Sequence, residues 1–214
     1  PFSPNSNVED ARQRWLFRMV HSRRPLQEKM TLFWHNHFAT AYSKLAGTFG
    51  AIQGTKMMAN KAGELPGPQG QIETFREKGL GSFRDLLVAM AQDPAMLVWL
   101  DGNANRKRHA NENFAREVME LFTLGIGNYT EKDIREIARA FTGWGSRHHD
   151  FVLSDEFHDH GEKTVHGRTG DLGGEVIFQG TPADLLAAGN GSLTGAYLRG
   201  ERAIPTPRVR RPAL

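Results

Sequence analysis

The chain has 214 residues and a formal net charge of only +3, a balance that gives no reason to expect nucleic-acid binding. It contains no cysteine, which excludes disulfides and thiolate metal sites, and no run of about 18 apolar residues, which excludes a membrane-spanning helix. A hydrophobic fraction of 39% can support one packed domain, or one domain with an appendage. Because the sequence begins with Pro1 and has no recognisable signal peptide, we expect a fragment or a processed form.

Apolar residues at helical spacing predict two helices near the start of the chain. The first runs from Val8 to about His21, and Pro25, which suits the first turn of a helix, opens the second over residues 26–42. One face of the second helix carries Met30, Phe33, Trp34, His37 and Ala41. This helix is therefore predicted to belong to the core, with a histidine in its apolar stripe.

The middle of the chain alternates weaker helical segments with loops. Residues 43–62 have a weak helical pattern, and residues 63–71 hold two prolines and three glycines, which predicts a loop. Helical spacing then returns in residues 75–90. Asp93 followed by Pro94 predicts the N-cap and first turn of a short helix, which precedes a polar, basic loop over residues 101–110.

Residues 111–144 predict two helices joined by a tight turn. Asn111 is a suitable N-cap, Gly125 can end the first helix, and Thr130 with Asp133 resembles a capping box at the start of the second. The predicted apolar faces are Phe114, Val118, Leu121 and Phe122 in the first helix, and Ile134, Ile137, Ala138 and Phe141 in the second.

Glu117 lies within the first of these faces. A buried carboxylate must be paired, hydrogen-bonded, metal-bound or protonated. Arg139, near the apolar face of the partner helix, is the expected partner. Glu120 lies on the same side as Glu117, so an acid–base pair of carboxylates is the alternative to an ion pair with Arg139.

The character of the sequence changes after Trp144. Five of the nine histidines fall in residues 145–174, where glycines are frequent and helical spacing is lost. Residues 176–178 predict one short strand or hairpin, and residues 189–214 predict a partly disordered tail. The fold is therefore predicted to be mainly α: an irregular bundle of about six helices, followed by a loop-rich C-terminal tail.

Residues 26–174 resemble a bacterial family known as domain of unknown function family 1800 (DUF1800). Five ordered motifs carry the resemblance: residues 29–40 (KMTLFWHNHFAT), 80–87 (LGSFRDLL), 93–101, 111–144, and 158–167 with its histidine, aspartate, lysine and threonine. The resemblance implies a mostly helical protein, often exported, without an established activity. It supports one helical domain over residues 1–172, which we expect to be incomplete.

Residues 173–214 resemble a different protein, the end of a nucleotide-binding half of the excision-nuclease A subunit. The matching residues are 173–182 (GGEVIFQGTP), 192–195, 197–198 and 204–205. We interpret them as an appended tail from a fused or misassembled reading frame, joined near residues 170–176. The sequence has no Gly-x-x-x-x-Gly-Lys-Ser/Thr loop, so no ATP site is expected.

Histidines suggest a divalent metal such as zinc. His35 and His37 are two residues apart, which on a helix places them roughly 200° apart, so they cannot share one metal unless the helix ends there. His158, Asp159 and His160 form a second, compact group, whose alternative is an exposed histidine-rich loop. The predicted metal site combines His35 or His37 with Glu117 and His158.

Three functions remain open from the sequence. The first is a metal-dependent hydrolase of an envelope or extracellular substrate, with Glu117, Arg139 and His37 as catalytic residues. The second is a non-enzymatic binding or scaffold protein in which the same residues form a buried network. The third, a DNA-repair ATPase fragment, rests only on the tail.

Overall fold

The fold was analysed in a computed structural model that describes residues 1–64, 67–147 and 149–173. The predicted mainly α class is confirmed, although these residues form nine α-helices rather than about six. They are α1 (Val8–His21), α2 (Pro25–His37), α3 (Tyr42–Phe49), α4 (Ala51–Ala59), α5 (Gln71–Lys78), α6 (Phe83–Ala91), α7 (Pro94–Trp99), α8 (Glu112–Glu117) and α9 (Glu131–Ala140). The strand predicted at residues 176–178 and the predicted tail lie outside the described residues.

The helix starts predicted from capping residues are confirmed. The Asp93 carboxylate accepts a hydrogen bond from the backbone N–H three residues on, at 2.8 Å. The Asn111 side chain accepts one from the N–H two residues on, at 2.9 Å. Thr130 and Asp133 form the reciprocal pair of a capping box. Each cap satisfies backbone donors that have no partner inside the helix, which is why these residue types mark the helix starts.

The second helix differs from its prediction in length and in orientation. α2 ends at His37 instead of continuing to residue 42, and Phe33, predicted to be buried, is 52% exposed. The buried residues of α2 are instead Glu28 and Thr31. Glu28 can be buried because Arg76 of α5 pairs with it through two hydrogen bonds, so a charged partner outweighs the apolar pattern.

A π-helical turn changes the face presented after α8. Residues Val118–Thr123 continue α8 with π-helical hydrogen bonding. A π-turn holds more residues than an α-turn, so it rotates the following side chains out of the α-helical register. Leu121, predicted to be buried, is consequently 59% exposed, whereas Val118 and Phe122 remain buried.

Two antiparallel hairpins follow α9, where the sequence predicted only loop. Strand β1 (Trp144–Arg147) pairs with β2 (Asp150–Leu153), and β3 (Lys163–Val165) pairs with β4 (Arg168–Gly170). The two residues between β3 and β4, His166 and Gly167, both have positive φ, at 47° and 77°. Such a pair closes a tight hairpin whose twist matches that of the strands.

The helices enclose one main hydrophobic core. Its largest fully buried members include Phe38, Phe75, Met96, Ile134 and Ile137. The start of β1 and the end of β3 also reach this core, through the buried side chains of Trp144 and Val165. The first hairpin thereby packs against α7 and the second against α9. No helix in the described part of the chain has the length and apolar character needed to cross a membrane.

Candidate metal centre

Three side chains between α9 and the end of the described chain come together with metal-binding chemistry. His158, His160 and Asp171 each offer a ligand atom, and these atoms all lie within 4.8 Å of one another. His158 and His160 flank Asp159, and their ring centroids are 4.8 Å apart in an edge-to-face arrangement. His160 and Asp171 are exposed, so the group is open to solvent.

Thr142, which lies two residues after the end of α9, positions His158. The Nδ1 atom of His158 lies 2.7 Å from the Thr142 carbonyl, and the Thr142 hydroxyl accepts a hydrogen bond of 2.8 Å from the Asp159 backbone N–H. Because a carbonyl only accepts, Nδ1 carries the hydrogen and Nε2 keeps a free lone pair. His158 therefore has the tautomer that a metal ligand requires.

Gly143 allows the segment that carries His158 to lie close to the end of α9. It has φ of +80°, and a Cβ there would lie 2.5 Å from the Ser154 carbonyl oxygen and 3.0 Å from the His158 backbone nitrogen. Its own carbonyl accepts a hydrogen bond of 2.8 Å from the Ser154 N–H. A larger residue would push the segment that carries His158 away from α9.

His160 lies between two carboxylates. Its Nε2 lies 3.0 Å from Asp155 Oδ1, and its Nδ1 lies 3.9 Å from Asp171 Oδ2. Its Nε2 thus faces Asp155 and its Nδ1 faces Asp171. Each histidine has one ring nitrogen beside an oxygen acceptor, as the supporting contacts of metal-bound imidazoles usually do.

Asp171 is ionised and shared with a buried lysine. The Lys163 side chain has no exposed surface, and its Nζ lies 2.8 Å from Asp171 Oδ1. The hydrogen bond from Lys163 holds the pKa of Asp171 below its usual value, with the charge of Lys163 in support. One oxygen of Asp171 is thus engaged, and the other remains for a cation.

Arg139 has other partners than the predicted one. It donates to Asp159 at 2.8 Å and 3.3 Å, to both oxygens of Glu136 at 3.1 Å, and to the Glu162 carbonyl at 3.1 Å. The hydrogen bond from Arg139 lowers the pKa of Asp159. The expected pairing of Arg139 with Glu117 is not formed. Arg139 instead fixes the residue between the two histidines.

Glu117 is partly buried and stands without an ion-pair partner in the described structure. Burial raises its pKa, and the charge of Glu120 raises it further. Glu120 itself accepts a hydrogen bond of 2.8 Å from the Tyr129 hydroxyl. The two carboxylates therefore lie close enough to interact, as their helical spacing predicts, and their roles in catalysis stay predictions.

His35 and His37 point to different sides of α2, as their spacing predicts. His35 contacts Trp15 and Phe75, whereas the Nε2 atom of His37 lies 3.3 Å from the Phe122 carbonyl. Burial lowers the pKa of both histidines, so both are neutral near pH 7. Although α2 ends at His37, the two rings do not converge.

The structure consequently retains one member of the predicted metal site. In the described ranges, the metal-binding group of three or more side chains contains His158 but not His35, His37 or Glu117. Its other members are His160, which the sequence had placed beside His158, and Asp171, which it had not. The missed signal was the His166–Gly167 dipeptide, a hairpin turn that brings Asp171 back toward the histidines.

Comparisons with known proteins give a family and short local similarities. The model of the family described as protein of unknown function, DUF1800, matches residues 3–187. UvrABC system protein A of Lactococcus lactis is 57% identical over 42 residues, which are 20% of this chain and 4% of that protein. Its counterpart in Thermus thermophilus is 62% identical over 39 residues, which are 18% of this chain and 4% of that protein. The matched stretches thus span only a small part of these relatives, and no solved structure matches the chain.

Proposed function

The chain belongs to the DUF1800 family of proteins of unknown function, and we propose that it is a metal-dependent hydrolase with its metal centre at His158, His160 and Asp171. The observation that carries the proposal is the geometry of the two histidines. His158 Nδ1 is hydrogen-bonded to the Thr142 carbonyl, and His160 has Nε2 3.0 Å from Asp155 and Nδ1 3.9 Å from Asp171. Imidazoles with such supporting oxygens are better candidates for metal ligands than histidines that are merely close together.

The donor set suits a divalent transition metal such as zinc. Two imidazoles and one carboxylate are a ligand set that zinc takes in catalytic sites, where the fourth position is open to water or substrate. When bound, such an ion would lower the pKa of a water molecule to about 7 and polarise a substrate oxygen. The exposure of His160 and Asp171 leaves room for a substrate to approach.

The remaining residues of the site have supporting roles. Arg139 acts through Asp159 as a positioning residue, because its guanidinium fixes the backbone between the two histidines. The catalytic roles of Glu117 and His37 stay predictions. Among the described residues, neither side chain contacts the proposed centre. A substrate in the cell envelope or outside the cell is proposed on family resemblance alone.

We expect the purified protein to bind about one equivalent of zinc, and His158→Ala to weaken binding at least about a hundredfold, because two ligands cannot replace three. Elemental analysis and competition with a chromogenic chelator measure both quantities. His21→Ala, which removes an exposed histidine on α1, is the matched control and should leave binding unchanged. Absence of zinc binding by the intact chain would refute the proposed function.

Hydrolysis is tested on the metal-loaded protein with p-nitrophenyl acetate and p-nitrophenyl phosphate. Turnover of either compound should require the metal and be lost in His158→Ala but not in His21→Ala. Zinc binding without turnover of any hydrolytic substrate would favour the non-enzymatic binding or scaffold alternative. One observation favours that alternative already, since Lys163 occupies one oxygen of Asp171 and offsets its charge.

Asp155 provides a separate test of the supporting contacts. Asp155→Ala is expected to weaken zinc binding by about ten- to a hundredfold, because His160 would lose the carboxylate that lies 3.0 Å from its Nε2. Glu156→Ala removes the neighbouring exposed carboxylate and is the control for net charge. If both substitutions weaken zinc binding equally in chelator competition, Asp155 contributes charge only and the orientation argument for His160 fails.

A further inference from the structure

A cavity of about 290 Å³ lies beneath α1, walled by residues of α1 to α5 and the α2–α3 connection. None of its lining residues belongs to the candidate metal centre. Its volume exceeds that of the apolar cavity of about 150 Å³ that accommodates benzene in an engineered protein. A substituted aromatic ring or a comparable alicyclic molecule would therefore fit.

The apolar side chains on the inner face of α1 line this cavity. Val8, Ala11 and Trp15 repeat at helical spacing and line it, and no residue of α1 is buried. Polar contacts hold the helix instead: Arg14 donates to the Ala59 carbonyl at 2.6 Å, and Arg18 donates to Glu28 at 3.1 Å. The inner apolar stripe of α1 thus lies along the cavity, with Ala11 packed against the smaller core cluster and Trp15 in contact with His35.

Two polar atoms in the wall of the cavity have no partner among the described residues. These buried atoms are the indole Nε1 of Trp15 and the Nδ1 of His35, on rings whose centroids are 5.3 Å apart. The indole N–H can only donate, so it requires an acceptor. Buried polar groups are normally satisfied, so an unsatisfied indole N–H on a ring that lines a cavity requires an explanation.

The other polar side chains of the wall are already engaged. The Thr55 hydroxyl donates to the Ala51 carbonyl at 2.8 Å, and the Thr40 hydroxyl donates to the Phe38 carbonyl at 3.1 Å. His35 carries no charge near pH 7, because burial lowers its pKa. At the rim, Arg12 is paired with Glu9 at 2.6 Å. Among the described residues, the wall therefore contains no unpaired charge that would attract a charged ligand.

We propose that this cavity binds a small, uncharged, mainly apolar molecule that carries one hydrogen-bond acceptor for the Trp15 indole N–H. The Trp15 and His35 nitrogens are shielded from solvent in the present conformation. Binding therefore includes a rotation of the Trp15 ring toward the cavity. The site is independent of the metal centre and of the proposed hydrolytic function.

Acetophenone and ethylbenzene form a matched pair of probes, because they share one carbon skeleton and differ by a carbonyl acceptor. In ¹H–¹⁵N NMR titrations of the full chain, both should bind saturably, with acetophenone about fivefold tighter, as expected for one hydrogen bond. Acetophenone alone should shift the Trp15 indole proton downfield, a signal assigned from its absence in Trp15→Phe. That variant should bind the two probes equally.

Substitutions that fill the cavity give the control. Ala11→Phe and Ile72→Phe enter it from α1 and from α5, so a failure of one to fold leaves the other informative. A folded variant should lose binding of both probes. Benzoate should bind more weakly than acetophenone to the unmodified protein. The proposal is overturned if neither probe saturates, if ethylbenzene binds as tightly as acetophenone, if benzoate binds more tightly, or if a folded filled variant still binds.

Discussion

Arg76→Met is expected to lower the free energy of unfolding by about 3–5 kcal/mol, because it leaves a buried carboxylate without its partner. Arg76 is 6% exposed and donates to both oxygens of Glu28, which is 2% exposed, at 2.9 Å and 3.0 Å. Burial opposes the ionisation of Glu28, but the hydrogen bonds and charges of Arg76 and Arg18 hold its pKa below the usual value. Loss of Arg76 removes most of that compensation.

Chemical denaturation of the variants measures this effect. Arg116→Met is the matched control, because Arg116 also pairs with two carboxylates, those of Glu112 and Glu131, but is 37% exposed. Exposed pairs of this kind contribute at most about 1 kcal/mol. A loss for Arg76→Met no larger than for Arg116→Met would show that the network of Glu28 is not a determinant of stability.

A combined replacement separates the cost of breaking the network from its net contribution. Glu73 also pairs with Arg76, so the apolar replacement must include Glu28→Met, Glu73→Met and Arg76→Met together. Buried ion networks replaced by apolar residues of similar volume are often neutral in stability. The triple variant should therefore recover most of the loss seen in Arg76→Met.

This network also explains which parts of the fold the sequence could predict. Helix starts were predictable because a cap is local: Asp93, Asn111 and Thr130 each bond to a backbone N–H within three residues. The buried face of α2 was not, because Glu28 becomes a core residue only through Arg76, 48 positions away in the chain. A pattern of apolar residues carries no information about such a partner.

The candidate site was predictable in part for the same reason. His158 and His160 are neighbours in the sequence, so their chemistry could be seen without a fold. Asp171 joins them only because a hairpin turns at His166 and Gly167. Arg139 was assigned to Glu117 because both lie near predicted apolar faces. The segment after α9 instead brings Asp159 and the Glu162 carbonyl to Arg139, and Glu136 reaches it from the preceding turn of α9.

Asp93 combines a local role with a buried environment. Its Oδ1 accepts hydrogen bonds from the backbone N–H of Met96 and from the Gln71 side chain, both at 2.8 Å. Gln71 also donates to Thr40, which lines the cavity beneath α1, at 3.1 Å. Burial raises the pKa of Asp93 to about 7, although the hydrogen bonds from Met96, Gln71 and Ala95 oppose this shift.

The contribution of Asp93 to stability is therefore expected to fall as the pH rises from about 4 to about 8. The unfolded chain releases the Asp93 proton near its usual pKa of 3.8, whereas the folded protein keeps it until about 7. Between these values the folded state binds more protons, so rising pH favours unfolding by up to about 1.4 kcal/mol per pH unit. The full contribution of Asp93 is about 4 kcal/mol, present below pH 4 and lost as the pH passes 7.

Asp93→Asn isolates this contribution, because asparagine keeps the acceptor for Met96 and Gln71 but does not titrate. The difference in unfolding free energy between the variant and the unmodified protein should move in favour of the variant by about 4 kcal/mol from pH 4 to pH 8. Asp93→Ser, a different N-cap without charge, should show the same pH dependence from a different starting value. Both variants remove the same proton-binding group, so their differences in unfolding free energy from the unmodified protein should change equally with pH. The other titrating carboxylates, including Glu28, are present in all three proteins and cancel in these differences.

A difference that stays constant across this range would mean that Asp93 ionises at its usual pKa in the folded protein. The hydrogen bonds of the N-cap would then outweigh burial at this position.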